Sequence, residues 1–129
     1  MKIVKLIFIA IITIFIISSI TSFFNIYKSV KTICTKAKKE YNNNCTNSLI
    51  EIIKSKNKTP QEKNKAIWAL GQLADKKALP FLLELNSLIP KQNESNFHDH
   101  LSKYEIEKAI KWCTKGNITS WMYKNKEKW

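Results

Sequence analysis

After Met1-Lys2-Ile3-Val4-Lys5 the chain carries no charge from Leu6 to Tyr27, and the part from Leu6 to Ile17 is almost entirely Ile, Leu and Phe. A core that short fits the h-region of a secretory signal peptide. The whole uncharged run, however, reaches the ~20 residues a helix needs to cross a bilayer. Both readings stay open at this level. Ser18-Ser19-Ile20-Thr21-Ser22 is a weak cleavage site, and Phe23, Phe24 and Tyr27 form an interfacial aromatic edge, which favours a retained anchor. No comparable apolar surface elsewhere in the chain could cover this segment as a buried helix.

Beyond it the apolar positions repeat with helical spacing. Val30, Ile33, Cys34 and Ala37 share one face of a helix over 28–40, which Asn42-Asn43-Asn44 ends. A second helix is expected over about 47–56, with Thr46 or Asn47 as its cap and Leu49, Ile50, Ile52 and Ile53 as its buried stripe. Thr59-Pro60-Gln61-Glu62 opens a third: Thr59 caps, Pro60 takes the first helical position, and Glu62 closes a capping box. That helix runs to Leu73, burying Ala66, Ile67, Ala69, Leu70 and Leu73. Asp75-Lys76-Lys77-Ala78 makes a turn, and Pro80 sets the start of a fourth helix near Leu79, ending near Ser87. The stretch 89–101 is irregular. Ser102 and Glu105 form another capping box, opening a fifth helix with Ile106, Ala109, Ile110 and Cys113 inward and Gly116 as its stop. No segment alternates as a strand.

The run Ala66-Ile67-Trp68-Ala69-Leu70-Gly71, followed by Asp75, Ala78, Pro80 and Leu82, resembles a HEAT-like repeat of the type named for the phycobilisome lyases. That resemblance implies an all-α, short HEAT-like α-solenoid: about two helix pairs, over 46–73 and 79–115, with capping helices, after the N-terminal hydrophobic helix. The second unit departs from the pattern, since Trp112, Cys113 and Thr114 stand where Ala69, Leu70 and Gly71 stood. Two units bury little surface, so the helix over 28–40 and the aromatic tail, with Trp121, Met122, Tyr123 and Trp129, are expected to cap the stack. The organisation is then 1–27 signal-anchor or signal peptide, 28–44 basic linker or capping helix, 45–116 repeat domain and 117–129 aromatic, basic cap.

The resemblance also implies that the second helix of each repeat lines a concave face. Trp68 then sits outward, with Asn64 and Gln72 one turn on either side, and Lys108 or Lys111 and Lys115 hold the matching positions of the second unit. Trp beside polar and basic residues suits a protein-binding surface; Trp68 packed under the 89–101 loop is the alternative.

Charge narrows the function further. The net charge is +12 over 129 residues, and every basic side chain is Lys. Abundant Lys, Ile and Asn point to a low-GC bacterial genome, which accounts for part of the charge. Without Arg the bidentate recognition of bases and phosphates is missing, so no specific nucleic-acid partner is expected. Lys31 to Lys39 and the tail 124–128 still favour an anionic membrane or cell-wall surface. Lys2 and Lys5 suggest that the N-terminus stays inside, whereas Lys28, Lys31, Lys36, Lys38 and Lys39 oppose export of the domain. A hydrophobic run at the extreme N-terminus favours an exported domain on a single-pass anchor.

Cys34, Cys45 and Cys113 are odd in number. In an exported domain Cys45–Cys113 is the leading candidate disulfide, with Cys34–Cys45 and free buried thiols as alternatives. His98-Asp99-His100 is a fragment of a metal site with no further ligand nearby. No nucleophile–base pair stands in a catalytic context. The expected protein is thus a non-enzymatic, membrane-tethered or exported scaffold. It binds a protein partner through Trp68, Asn64, Gln72, Lys111 and Lys115 and the membrane through 6–27, with no cofactor and no small-molecule substrate. The alternative is a Lys-driven binder of an anionic surface.

Overall fold

The structure, a computed structural model, describes residues 2–89 and 101–129. Its regular elements, among the described residues, are all helical. They are α1 (Lys2–Tyr41), α2 (Cys45–Lys54), α3 (Pro60–Leu73), a 3₁₀ turn (Lys76–Ala78), α4 (Leu79–Leu88), α5 (Lys103–Lys115) and two 3₁₀ turns in the tail (Ser120–Tyr123 and Lys126–Lys128). The helix expected over 28–40 is not a separate element. It is the last third of α1, which runs through Tyr27 and Lys28 without a break because no Pro or Gly interrupts its 40 residues.

Helix ends follow local chemistry. Thr59 accepts from the Glu62 N–H, and the Glu62 carboxylate accepts in turn from the Thr59 N–H at 3.0 Å, completing the capping box. Ser102 accepts from the Glu105 N–H to start α5, and Gly116 ends it at φ 81°, where a residue without Cβ is at ease. α2 begins two residues earlier than the periodicity suggests, because Asn44 rather than Thr46 or Asn47 takes the cap, accepting from the Asn47 N–H. Relieved of the cap, Thr46 turns its hydroxyl to Asp75 and donates to the carboxylate.

The core is built by α3. It packs on α1, α2 and α5, and α5 in turn packs on α4. Val30, Cys34 and Ala37 of α1 meet Leu49 and Ile53 of α2, Ala66, Ile67, Ala69 and Leu70 of α3, Leu82 of α4, and Ile106, Ala109 and Cys113 of α5 in one buried cluster. Removing each fully buried Leu or Ile side chain from water contributes about 1.5–3 kcal/mol. Gly71 sets the spacing of α3 and α5: a Cβ there would lie 3.0 Å from the Ala109 Cα and 3.1 Å from the Trp112 ring. Two small residues face each other and the backbones approach closely. Lys103, at the start of α5, donates to the backbone oxygens of Asn86 and Ile89, covering the open carbonyls at the end of α4.

The disulfide is Cys34–Cys45, not Cys45–Cys113, and Cys113 is a free, buried thiol. The reason lies in the connector 42–44. Cys34 stands seven residues before Tyr41, about 10 Å of helical rise, yet its Cα is 5.3 Å from that of Cys45. The connector therefore doubles back along α1, helped by Asn42 in the left-handed region at φ 48°, and starts α2 beside Cys34. Cys113 belongs to a different contact. Its thiol meets the Leu70 backbone oxygen at 3.7 Å, between α5 and α3.

Candidate functional site

α1 is the one helix among the described residues that is long and apolar enough to cross a membrane. Its side chains stay exposed from Ile3 through Ser18, whereas Ile26 and Tyr27 touch the core and Val30 is fully buried. The helix thus leaves the bundle at about Ile26 and continues toward its N-terminus with its side chains largely uncovered by the described residues.

The tail closes on that exit point. Tyr123 stacks on Tyr27 with ring centres 6.1 Å apart, and Trp129 meets both edge-on, at 5.7 Å from Tyr27 and 6.0 Å from Tyr123. On one side the tail is fixed to the end of α3. Asn117 donates to the Gly71 and Gln72 carbonyls, both at 3.2 Å, and the Thr119 hydroxyl donates to the Gln72 side-chain oxygen at 2.7 Å. On the other side Lys126 pairs with Asp75 at 2.6 Å, while Lys38 donates to the backbone oxygens of Glu127, at 3.0 Å, and Trp129, at 2.6 Å.

Asp75 is the hub of this arrangement. One carboxylate oxygen takes Lys126 and the Thr46 hydroxyl, and the other takes the Lys77 N–H. Burial alone pushes the Asp75 carboxyl up, but the bonds from Lys126, Thr46 and Lys77 outweigh it and hold it below the ordinary carboxylate range. The same carboxylate acts on Cys113. Burial first, and then the Asp75 charge, push its thiol up to about 11, so it stays protonated and unreactive.

The expected partner residues separate into two groups. Asn64 and Gln72 are buried, 7% and 6% exposed, and do not form an open surface. Asn64 accepts from the Ser102 N–H at 2.8 Å and Gln72 accepts from Thr119, so the 64–68–72 face of α3 is the seat of α5, held at both its ends. Trp68, half-buried, packs against the core on that face. Lys111 and Lys115 remain exposed on α5. Beside them lies a ladder that the sequence signalled only by its i, i+4, i+8 spacing. The Lys108 ammonium sits 5.5 Å from the Tyr104 ring and 4.7 Å from the Trp112 ring, with Glu105 at 3.7 Å.

Among the described residues no group of three His, Cys, Asp or Glu could hold a metal. His98-Asp99-His100 and the rest of 90–100 lie outside the described residues. Comparison of the chain with protein-family models, with curated proteins and with solved structures finds no match.

Proposed function

We propose that this chain is a non-enzymatic, membrane-tethered adaptor whose helical domain binds another protein. The observation that carries it is the continuity of α1: one helix is both the exposed apolar segment and a core element, contributing Val30, Cys34 and Ala37. The helix also runs unbroken through the weak Ser18–Ser22 cleavage site, which favours a retained anchor that holds the domain in a fixed pose. The domain is read as a two-unit HEAT-like stack, α2–α3 and α4–α5, and the close approach of Gly71 to Ala109 between the second helices of the pairs supports it. The Cys34–Cys45 disulfide favours an oxidising, extracytoplasmic side.

With Asn64 and Gln72 occupied internally, the partner surface moves to the outer face of α5: Tyr104, Lys108, Lys111 and Lys115, with Trp112 and Trp68 at its inner edge. Aromatic side chains interleaved with Lys suit an acidic protein surface. A photo-reactive residue placed at Lys111 or Lys115 of the full chain in its native membrane should give discrete protein adducts. One placed at Lys56, in the α2–α3 turn, should not. Equal labelling from Lys56, or no protein adduct from α5, would sink the proposal. A second reading, attraction to an anionic surface, is favoured by exposed Lys28 and Lys124, which flank the stacked Tyr27 and Tyr123.

A further inference from the structure

We infer that the bend of the tail around Ile118–Lys124 is a membrane foot, inserting Trp121 into the anionic headgroup layer beside the point where α1 enters the bilayer. The inference rests on the retained-anchor reading and adds a second, independent membrane contact to it.

The depth follows from helix geometry. A hydrocarbon core of about 30 Å takes about 20 residues of helix. Counted from Leu6, the first residue of the uncharged run, it ends close to Ile26. Tyr27 is then in the headgroup layer, the depth at which Tyr and Trp concentrate. Tyr123 lies within about one headgroup depth of it, since its ring centre is 6.1 Å from that of Tyr27. Trp121 is two residues away on the same 3₁₀ turn, within about 7 Å along the backbone. That is comparable with the roughly 6 Å depth of one headgroup layer.

The side chains at this bend are the wrong kind for open water. Trp121 is 64% exposed and Ile118 75% exposed, although Tyr123 between Trp121 and the core is buried. Lys124 follows Tyr123, and Lys28 follows Tyr27, so two exposed ammonium groups flank the aromatic pair where anionic phosphates would meet them. The bend is also held before any lipid arrives. Thr119 is bonded to Gln72 on one side and Lys126 to Asp75 on the other, leaving 120–125 as a short bridge between two fixed points. Little ordering entropy then opposes insertion.

The test uses the full chain in vesicles of phosphatidylcholine and phosphatidylglycerol containing phospholipid brominated near the headgroup end of its acyl chains. Bromine should quench part of the Trp emission; in a Trp129→Phe background, needed because Trp129 lies 5.7 Å from Tyr27, Trp121→Phe should remove most of that quenched part. Trp112→Phe, on α5, should leave it in place. These substitutions keep an aromatic ring in place, and circular dichroism of each variant checks that the bundle is intact. Replacing phosphatidylglycerol by phosphatidylcholine should weaken the quenching of Trp121. A quenched fraction that Trp121→Phe leaves unchanged overturns the foot while the anchor stands. Release of the wild-type chain by alkaline carbonate overturns the anchor itself, and the foot with it.

Discussion

Lys126 reaches back from the tail to Asp75, 2.6 Å away, and joins the last turn of the chain to the turn between α3 and α4. The pair is mostly shielded from solvent, and the carboxylate has two further donors, Thr46 and the Lys77 N–H. Its carboxyl is held below its ordinary range, so the folded state favours the ionised form. A depressed folded pKa gives stability that is fully present above the unfolded value, about 4 for Asp, and is lost as pH falls through the folded one. The melting temperature of the wild type should therefore drop below about pH 4. Asp75→Asn should cost about 1–3 kcal/mol at neutral pH, because Lys126 loses its counter-charge, and should show a flatter acid limb. Melts from pH 3 to pH 7 on both proteins check the sign.

The cysteines give a second prediction. Without reduction the folded chain should show no reactive thiol: Cys34 and Cys45 are bonded to each other, and Cys113 is buried with its thiol pushed up to about 11. In denaturant Cys113 alone should label without reduction and all three after it, since Cys34 and Cys45 are buried as completely as Cys113. The closed loop is short, with a sequence separation of 11, and the chain-entropy model gives about 3 kcal/mol for it. A Cys34→Ser, Cys45→Ser double variant should unfold at correspondingly lower urea. Mass mapping that finds Cys113 in the bridge would contradict the assignment.

Local and distant partners explain which features the sequence made legible. Thr59, Pro60 and Glu62 read correctly because a capping box is closed within four residues, and Gly116 because a left-handed stop needs no distant partner. The reversal of the connector 42–44 along α1 has no such local signature; three Asn residues mark a turn without saying which way the chain leaves it. Asn64 and Gln72 misled for a related reason. Polar residues at i±4 from Trp68 read as a wet face, but their partners, Ser102 and Thr119, lie 38 and 47 residues away. The aromatic composition of the tail pointed to packing residues such as Tyr123 and Trp129, though nothing in its order revealed that they would return to Tyr27 or that Trp121 would stay exposed.

Gly71 provides a third test. Adding a Cβ brings it to 3.0 Å from the Ala109 Cα, which is backbone and cannot swing aside, and to 3.1 Å from the Trp112 ring. Gly71→Ala should gain helix propensity yet lose more through overpacking, a net cost of about 1–3 kcal/mol. Ala109→Gly makes room on the other side and should recover part of the loss in the double variant. Urea unfolding of the four proteins gives the coupling, and simple additivity would show that the α3–α5 approach is looser than these distances.

Ala74 carries the last prediction. It ends α3 in the left-handed region, at φ 49° and ψ 37°, with its N–H donating to the Leu70 and Gly71 oxygens. This is the position Gly usually fills, because a Cβ there crowds the neighbouring carbonyl at a cost of about 1–2 kcal/mol. Glycine would relieve that strain while enlarging the freedom of the unfolded chain, so the gain is partial. Ala74→Gly should stabilise the domain by about 0.5–1 kcal/mol, where the same substitution inside a helix would destabilise it. The control is Ala66→Gly, at a fully buried site within α3, which should cost at least 1 kcal/mol, roughly its propensity term before any packing loss. If both variants lose stability in urea, the left-handed cap is not formed in solution, and the turn that presents Asp75 to Lys126 must be built another way.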